Sequence, residues 1–163
     1  MKLTRVQFCP YCGGRLPADD TLPKRCVTAG CDFELYDNPV PVVAAIVELP
    51  EGVVLVRERS WPQGMFGLVT GFLERGEAPD AAVLREVREE LSLVGRACEL
   101  VGLYPFEAFN QLLIAYHVDA QGEIRLDSDE LADYRIIPRG KLKAWSFGTG
   151  LAVRDWLARV RGG

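Results

Sequence analysis

The stretch GFLERGEAPDAAVLREVREELSL, from Gly71 to Leu93, constrains this chain more than any other. Pro79 fixes a helical φ and suits a first turn, so the spacing predicts a helix from Pro79 to about Leu91. At about 100° per residue, Glu86, Glu89 and Glu90 share one face of that helix. Val83, Leu84, Val87 and Leu91 share an adjoining face that can pack on a core. Three carboxylates on one face repel one another unless positive charge sits among them. The residues alone allow two readings. Acids on a helix are commonly solvated, with Arg85 and Glu89 forming a surface i, i+4 pair. Alternatively, the clustered oxygens hold a hard divalent cation such as Mg²⁺ or Mn²⁺.

The chain has 163 residues, which suits one medium domain or a domain with a small appendage. Hydrophobic residues make up 48% and charged residues 26%, the balance of a soluble globular protein. No apolar run approaches the ~20 residues that span a membrane. The N-terminal residues lack the apolar stretch of a signal peptide, so a cytoplasmic protein without membrane association is expected. The formal net charge of −4 argues against bulk binding of nucleic acid through its phosphates. An anionic substrate would then be met by local basic groups or by metal.

Residues 1–38 differ from the rest. Cys9-Pro-Tyr-Cys12-Gly-Gly aims two sulfurs from one tight turn, and Cys26 and Cys31 supply a second pair, with room for a short hairpin between the pairs. Four thiolates at such spacing read as a tetrahedral structural Zn²⁺ site. So short a segment buries little core and needs such a staple. A redox CxxC, two disulfides and a rubredoxin-like iron site are the alternatives. Cys98 reads as a small buried hydrophobe.

After a turn-rich hinge at Tyr36-Asp37-Asn38-Pro39, strands are predicted at 41–49, 53–59 and 66–70. Further strands are predicted after the helix at 96–106, 111–119, 124–126 and 134–137, with an acidic loop at 127–131. Val153, Trp156, Leu157 and Val160 recur at helical spacing, so an amphipathic helix ends the chain. His117, the single histidine, sits at the end of an apolar strand and reads as a structural residue.

Gly71, then Glu77, then Arg85-Glu86-Val87-x-Glu89-Glu90-x-x-Leu93 resembles the Nudix box in both residue types and spacing. The box usually carries Gly where this chain has Ser92, and the Pro-x-Gly often found before it is here Val69-Thr70-Gly71. The resemblance implies an α/β (α+β) fold, a Nudix α/β/α sandwich with a mixed sheet over 39–163. Residues 1–38, with Tyr36-x-Asn-Pro at the join, are similar to the zinc ribbon that precedes some Nudix hydrolases, which would place Zn²⁺ on Cys9, Cys12, Cys26 and Cys31.

By position in the box, the resemblance assigns Mg²⁺ or Mn²⁺ to Glu86, Glu89 and Glu90, with Gly71 letting the backbone approach the metal or serving as a plain turn glycine. It assigns Arg85 to orienting a carboxylate and Glu77 to supporting the loop. Glu90 is one candidate general base. Glu130, in a stretch similar to a downstream family loop, is another. The implied reaction is hydrolysis of the pyrophosphate of a nucleoside diphosphate linked to X, with release of AMP. The segment from Tyr104 to Gln111 keeps only Pro-Phe of the NADH-cleaving signature, and Asn110-Gln111 looks more like the FAD or ADP-ribose type. NADH cleavage and a catalytically inactive nucleotide sensor or ribbon binding module are the alternatives. Arg57 and Arg59 are candidate phosphate contacts. Phe72, Tyr104 and Phe106 are candidate base-stacking rings. A small dinucleotide or nucleotide-sugar substrate, no nucleic-acid or membrane partner, and a homodimer complete the expectation.

Overall fold

The computed structural model describes residues 6–19, 21–126 and 129–162. It divides into two compact units, Met1–Pro39 with Ala108–Asn110, and Val40–Glu107 with Gln111–Gly163.

The small unit is built of turns. Phe8 bridges Arg15 across the first cysteine pair. Strands β1 (Lys24–Arg25) and β2 (Glu34–Leu35) pair antiparallel across the second. The hairpin expected between the cysteine pairs therefore encloses the second pair instead. Each pair occupies its own turn, closed by Cys9 N–H to Gly14 O in one and Cys31 N–H to Thr28 O in the other.

The large unit centres on β3 (Val40–Leu49). Its neighbours are β4 (Gly52–Glu58), β5 (Val69–Phe72), β6 (Val94–Phe106), β7 (Gln111–Gln121) and β8 (Leu131–Ile137). The sheet runs β6-β7-β3-β4-β8, with β5 also paired to β3. β3 and β7 are parallel and the other pairs antiparallel, so the sheet is mixed. Residues 42–47 of β3 are all buried, which explains why this segment reads as an unbroken apolar run. A strand covered on both faces has no polar side to show.

The two faces have separate cores. Val42, Ala44, Ile46, Val53 and Leu55 meet Val153, Trp156 and Leu157 of helix α2 (Gly150–Gly162). Val43, Ala45, Val47, Val54 and Val56 meet Val83, Val87 and Leu91 of helix α1 (Pro79–Leu91). Each such Val, Leu or Ile side chain, fully buried, contributes about 1.5–3 kcal/mol of transfer free energy. The sandwich expected from the sequence is thus present, with one helix on each face. No described helix is long and apolar enough to cross a membrane.

Three local expectations change. Residues 124–126 form no strand, because the chain leaves β7 at Gly122 and runs past the end of α1, where Arg125 N–H bonds Leu91 O. Gly71 lies inside β5, opposite Val43, and not in a turn. Of the acidic loop, residues 127 and 128 lie outside the described residues. His117 is satisfied, with Nε2 2.8 Å from Glu48 Oε2 and the ring stacked on Trp156.

Helix α1 begins with Pro79 at its first position and ends at Ser92, which is left-handed at φ 58° and donates its N–H to Arg88 O. A non-glycine residue there costs about 1 kcal/mol. The Ser92 hydroxyl recovers part of this by donating to Arg125 O at 3.3 Å. Ser92→Gly is therefore expected to stabilise the chain by about 0.5–1 kcal/mol, raising the thermal midpoint by roughly 1–4 °C in calorimetry. A lower midpoint would mean that the hydroxyl contributes more than the strain costs.

Candidate active site and thiolate cluster

Arg85 occupies the centre of the acidic helix face. Its guanidinium has five N–H donors, and all are used. Nε and Nη2 grip Glu77 in a two-pronged contact at 2.9 and 3.0 Å. Nη2 also donates to Phe72 O at 3.2 Å, and Nη1 donates to Glu86 Oε1 at 2.7 Å and Glu89 Oε2 at 3.0 Å. One side chain thus ties β5, the 73–78 loop and α1 together. Glu77 closes its own turn, because Oε2 accepts the Glu74 N–H at 3.2 Å. The Arg85 guanidinium beside Glu77 holds that carboxyl below its usual range.

Glu86 is buried at 9% exposure, unusual for a carboxylate. Burial pushes its pKa up, and the negative charges of Glu89 and Glu90 add to the rise, while Arg85 opposes it. Gly71 makes room for this side chain. A Cβ at Gly71 would lie 1.9 Å from the Glu86 carboxyl carbon, so any larger residue collides with the acid. Of the two expected uses of Gly71, turn geometry gives way because the residue lies within β5, and the room left for Glu86 is a further use that needs the packing to be seen.

One guanidinium is shared by the three carboxylates Glu77, Glu86 and Glu89. Glu86 Oε2 and Glu89 Oε1 lie outside the contacts Arg85 makes. A buried acid crowded by like charge is a donor set that fits a hard divalent cation.

The other candidates fall in different places. Phe72 is 61% exposed and its carbonyl is held by Arg85; it pairs with Val42 where Gly71 pairs with Val43, so its side chain leaves the strand on the face opposite to Gly71. The Arg59 N–H donates to Glu130 O at 2.8 Å, so the end of β4 and the acidic loop are joined through the backbone. Arg57 pairs with Asp133 in the β4–β8 ladder. Phe106 packs partly buried against the α2-side core. Tyr104 is a correction. It is 8% exposed in that core and its hydroxyl donates to Asp155 at 3.0 Å, so neither face of the ring is offered to a base. Asn110, read as a substrate-type marker, has φ 51° and donates to Asp37 O, a use set by backbone geometry. Cys98 is partly buried against the α1-side core, and burial pushes its thiol up to about 11.

Among the described residues, the group of potential ligands that converges most clearly is Cys9, Cys12, Cys26 and Cys31, whose sulfurs all lie within 4.8 Å of one another. Cys9 and Cys31 are 3.8 Å apart, and Cys12 and Cys26 are 3.5 Å apart. Zn–S bonds of about 2.3 Å in a tetrahedron place sulfurs roughly 3.8 Å apart, so the cluster fits that ion. The Gly14 N–H and the Thr28 hydroxyl bring the Cys12 thiol down to about 6. At Cys31 the Phe33 N–H acts downward, but burial and the neighbouring sulfurs outweigh it and push the thiol up to about 12. Metal binding would release such protons.

Two measurements follow. Gly71→Ala is expected to cost about 1–3 kcal/mol in urea unfolding, the usual penalty of overpacking. An unchanged midpoint would mean that Glu86 moves aside freely. Metal analysis is expected to find about one Zn²⁺ per chain, lost in Cys12→Ser. Absence of zinc, with the four cysteines oxidised in pairs, would overturn the tetrathiolate reading.

A family model described as the NUDIX domain matches residues 38–155. The chain is 31% identical over 117 residues to the NAD-capped RNA hydrolase NudC of Mycobacterium bovis, covering 71% of this chain and 36% of that protein. It is 32% identical over 175 aligned residues to the NAD-capped RNA hydrolase NUDT12 of Homo sapiens, covering 96% of this chain and 38% of that protein. It thus spans little more than a third of the length of these curated relatives. Among solved structures, a NUDIX hydrolase from Nitrosomonas europaea superposes with a TM-score of 0.65 at 26% identity, over 83% of this chain and 80% of that one. With the NUDIX domain model matching residues 38–155 and solved NUDIX hydrolases sharing the fold, this chain belongs to the Nudix domain family.

Proposed function

We propose that the chain hydrolyses the pyrophosphate bond of a nucleoside diphosphate linked to a second group, in the class of adenine dinucleotides, and releases a nucleoside monophosphate such as AMP. The observation that carries this reading is the five-bonded Arg85, which draws Glu77, Glu86 and Glu89 to one place. Solvated surface acids would not be organised in this way, and Glu86 would not be buried. In this proposal residues 1–38 are a zinc ribbon and 39–163 are the hydrolase domain. Cytoplasmic residence and a homodimer belong to the same reading.

Glu86, Glu89 and Glu90 are the residues that would hold Mg²⁺ or Mn²⁺. Bound there, such ions neutralise the charge of a diphosphate and acidify an attacking water. Arg85 keeps Glu86 and Glu89 at a fixed separation, so little reorganisation is needed when substrate arrives. Water attacks one phosphorus, its proton passes to a carboxylate, and the anhydride oxygen leaves with the other phosphate. Glu90 on the helix and Glu130 in the acidic loop are the two candidate acceptors of that proton. Phe72, an exposed ring on β5, is the candidate stacking face for a nucleobase. Arg57 and Arg59 are the candidate phosphate contacts.

The names of the relatives favour an NAD-type anhydride at the end of an RNA. The FAD and ADP-ribose reading rests on the Tyr104–Gln111 segment, and the use of Asn110 as a backbone device weakens it. A low net basicity does not oppose a capped RNA, because the anhydride end is met by metal and local arginines. The deciding experiment measures AMP release from NADH, FAD, ADP-ribose and an NAD-capped RNA with Mg²⁺ or Mn²⁺. Glu89→Gln is expected to cut the rate on the preferred substrate by at least about 100-fold. Its thermal midpoint should barely change, since the Glu89 side chain is 50% exposed. An inactive wild-type chain that still binds nucleotide would favour the sensor reading.

A further inference from the structure

The small unit displays aromatic rings that its thiolate cluster does not use. Among its described residues the buried side chains are Cys9, Leu16 and Lys24, which is very little core. Tyr11 stands between Cys9 and Cys12, at the first cysteine turn, and is 82% exposed. One of its faces lies on Phe33, with centroids 5.9 Å apart and planes inclined by 24°. At that exposure the opposite face is open to solvent. Phe8, 53% exposed, carries the Arg15 guanidinium 5.5 Å from its ring centre. The Phe8–Arg15 bridge spans the same cysteine turn, so both aromatic groups flank one knuckle. Among the described residues Arg15 makes no ion pair.

We infer that this knuckle binds single-stranded nucleic acid, with one base stacked on the open face of Tyr11, a second against Phe8, and Arg15 on the phosphate between them. Every base has a π-face, so stacking platforms accept single strands without reading sequence, and a planar guanidinium adds one point of phosphate contact. The acidic balance of the chain, which opposes binding through many phosphates, is no obstacle to a site that works by stacking. A second copy of the chain is the poorer occupant. A twofold contact centred on this face would set Arg15 against its own copy and desolvate both charges. The inference leans on the proposed function only in that a capped RNA would bring such a strand, and it is tested without turnover.

The test is fluorescence anisotropy of the full zinc-loaded chain with a 3′-labelled RNA of about 12 adenylates that has no cap and no anhydride to cleave. Binding is expected to weaken about tenfold in Tyr11→Ala and to persist in Tyr11→Phe, which keeps the ring. Log affinity should fall with log salt at a slope of only about −0.7 to −1.4, the signature of one or two phosphates. Zinc content and hydrolysis of a free dinucleotide should match wild type in both variants. Three results would each overturn the inference: equal affinity in Tyr11→Ala, no binding by the wild type, or an RNA-independent dimer that Tyr11→Ala dissolves. Loss of hydrolysis with RNA binding intact would remove the proposed function and leave this inference standing.

Discussion

The acidic face of α1 depends on a single guanidinium. Arg85 uses all five donors on Glu77, Glu86, Glu89 and the Phe72 carbonyl. Without it, a buried Glu86 would face two more acids on the same helix, and each would have to be solvated or protonated. With it, α1 can bring its carboxylates against β5 while its apolar side packs on the sheet. The strands supply the floor. β5 pairs with β3, which places Gly71 opposite Val43 and under the Glu86 carboxylate. Charge, backbone space and core packing are therefore one arrangement, and a change to any of them is felt by the other two.

The sheet explains why one helix can carry such a load of charge. β3 is buried on both faces, with alternate side chains feeding two separate cores. Val83, Val87 and Leu91 anchor α1 in one of them, so the helix is held by its apolar side and needs no help from its acids. The acids are then not needed to dock the helix, and their mutual repulsion is a local cost. On the far face α2 is fixed by Trp156, onto which His117 stacks while bonded to Glu48. The lone histidine is thereby occupied in holding β7, β3 and α2 together.

The small unit is stabilised differently. With little core, it relies on two cysteine turns whose backbone bonds aim four sulfurs at a common centre. The same economy leaves its aromatic rings outside. A chain this short cannot bury Tyr11 and Phe8, so they stand on the surface, where stacking is the chemistry open to them.

Much was legible in the sequence because it lies in local spacing. The helix from Pro79 to Leu91, its acidic and apolar faces, the unbroken strand from Pro41 to Leu49 and the two cysteine pairs are periodicities and intervals that survive folding unchanged. Other features are contacts between distant segments, and no local pattern encodes them. Nothing around Gly71 says that its missing Cβ makes room for a carboxylate fifteen residues on. Tyr104 looked like a stacking ring until the β6–α2 contact buried it, and Asn110 looked like a substrate marker until its left-handed backbone bonded Asp37. The sequence by itself determined which residues form each element and which charges share a helix face, since these follow from bond geometry and repeat length. Only the tertiary structure decided which of those residues meet, because burial and hydrogen bonding are set by what the rest of the chain brings alongside.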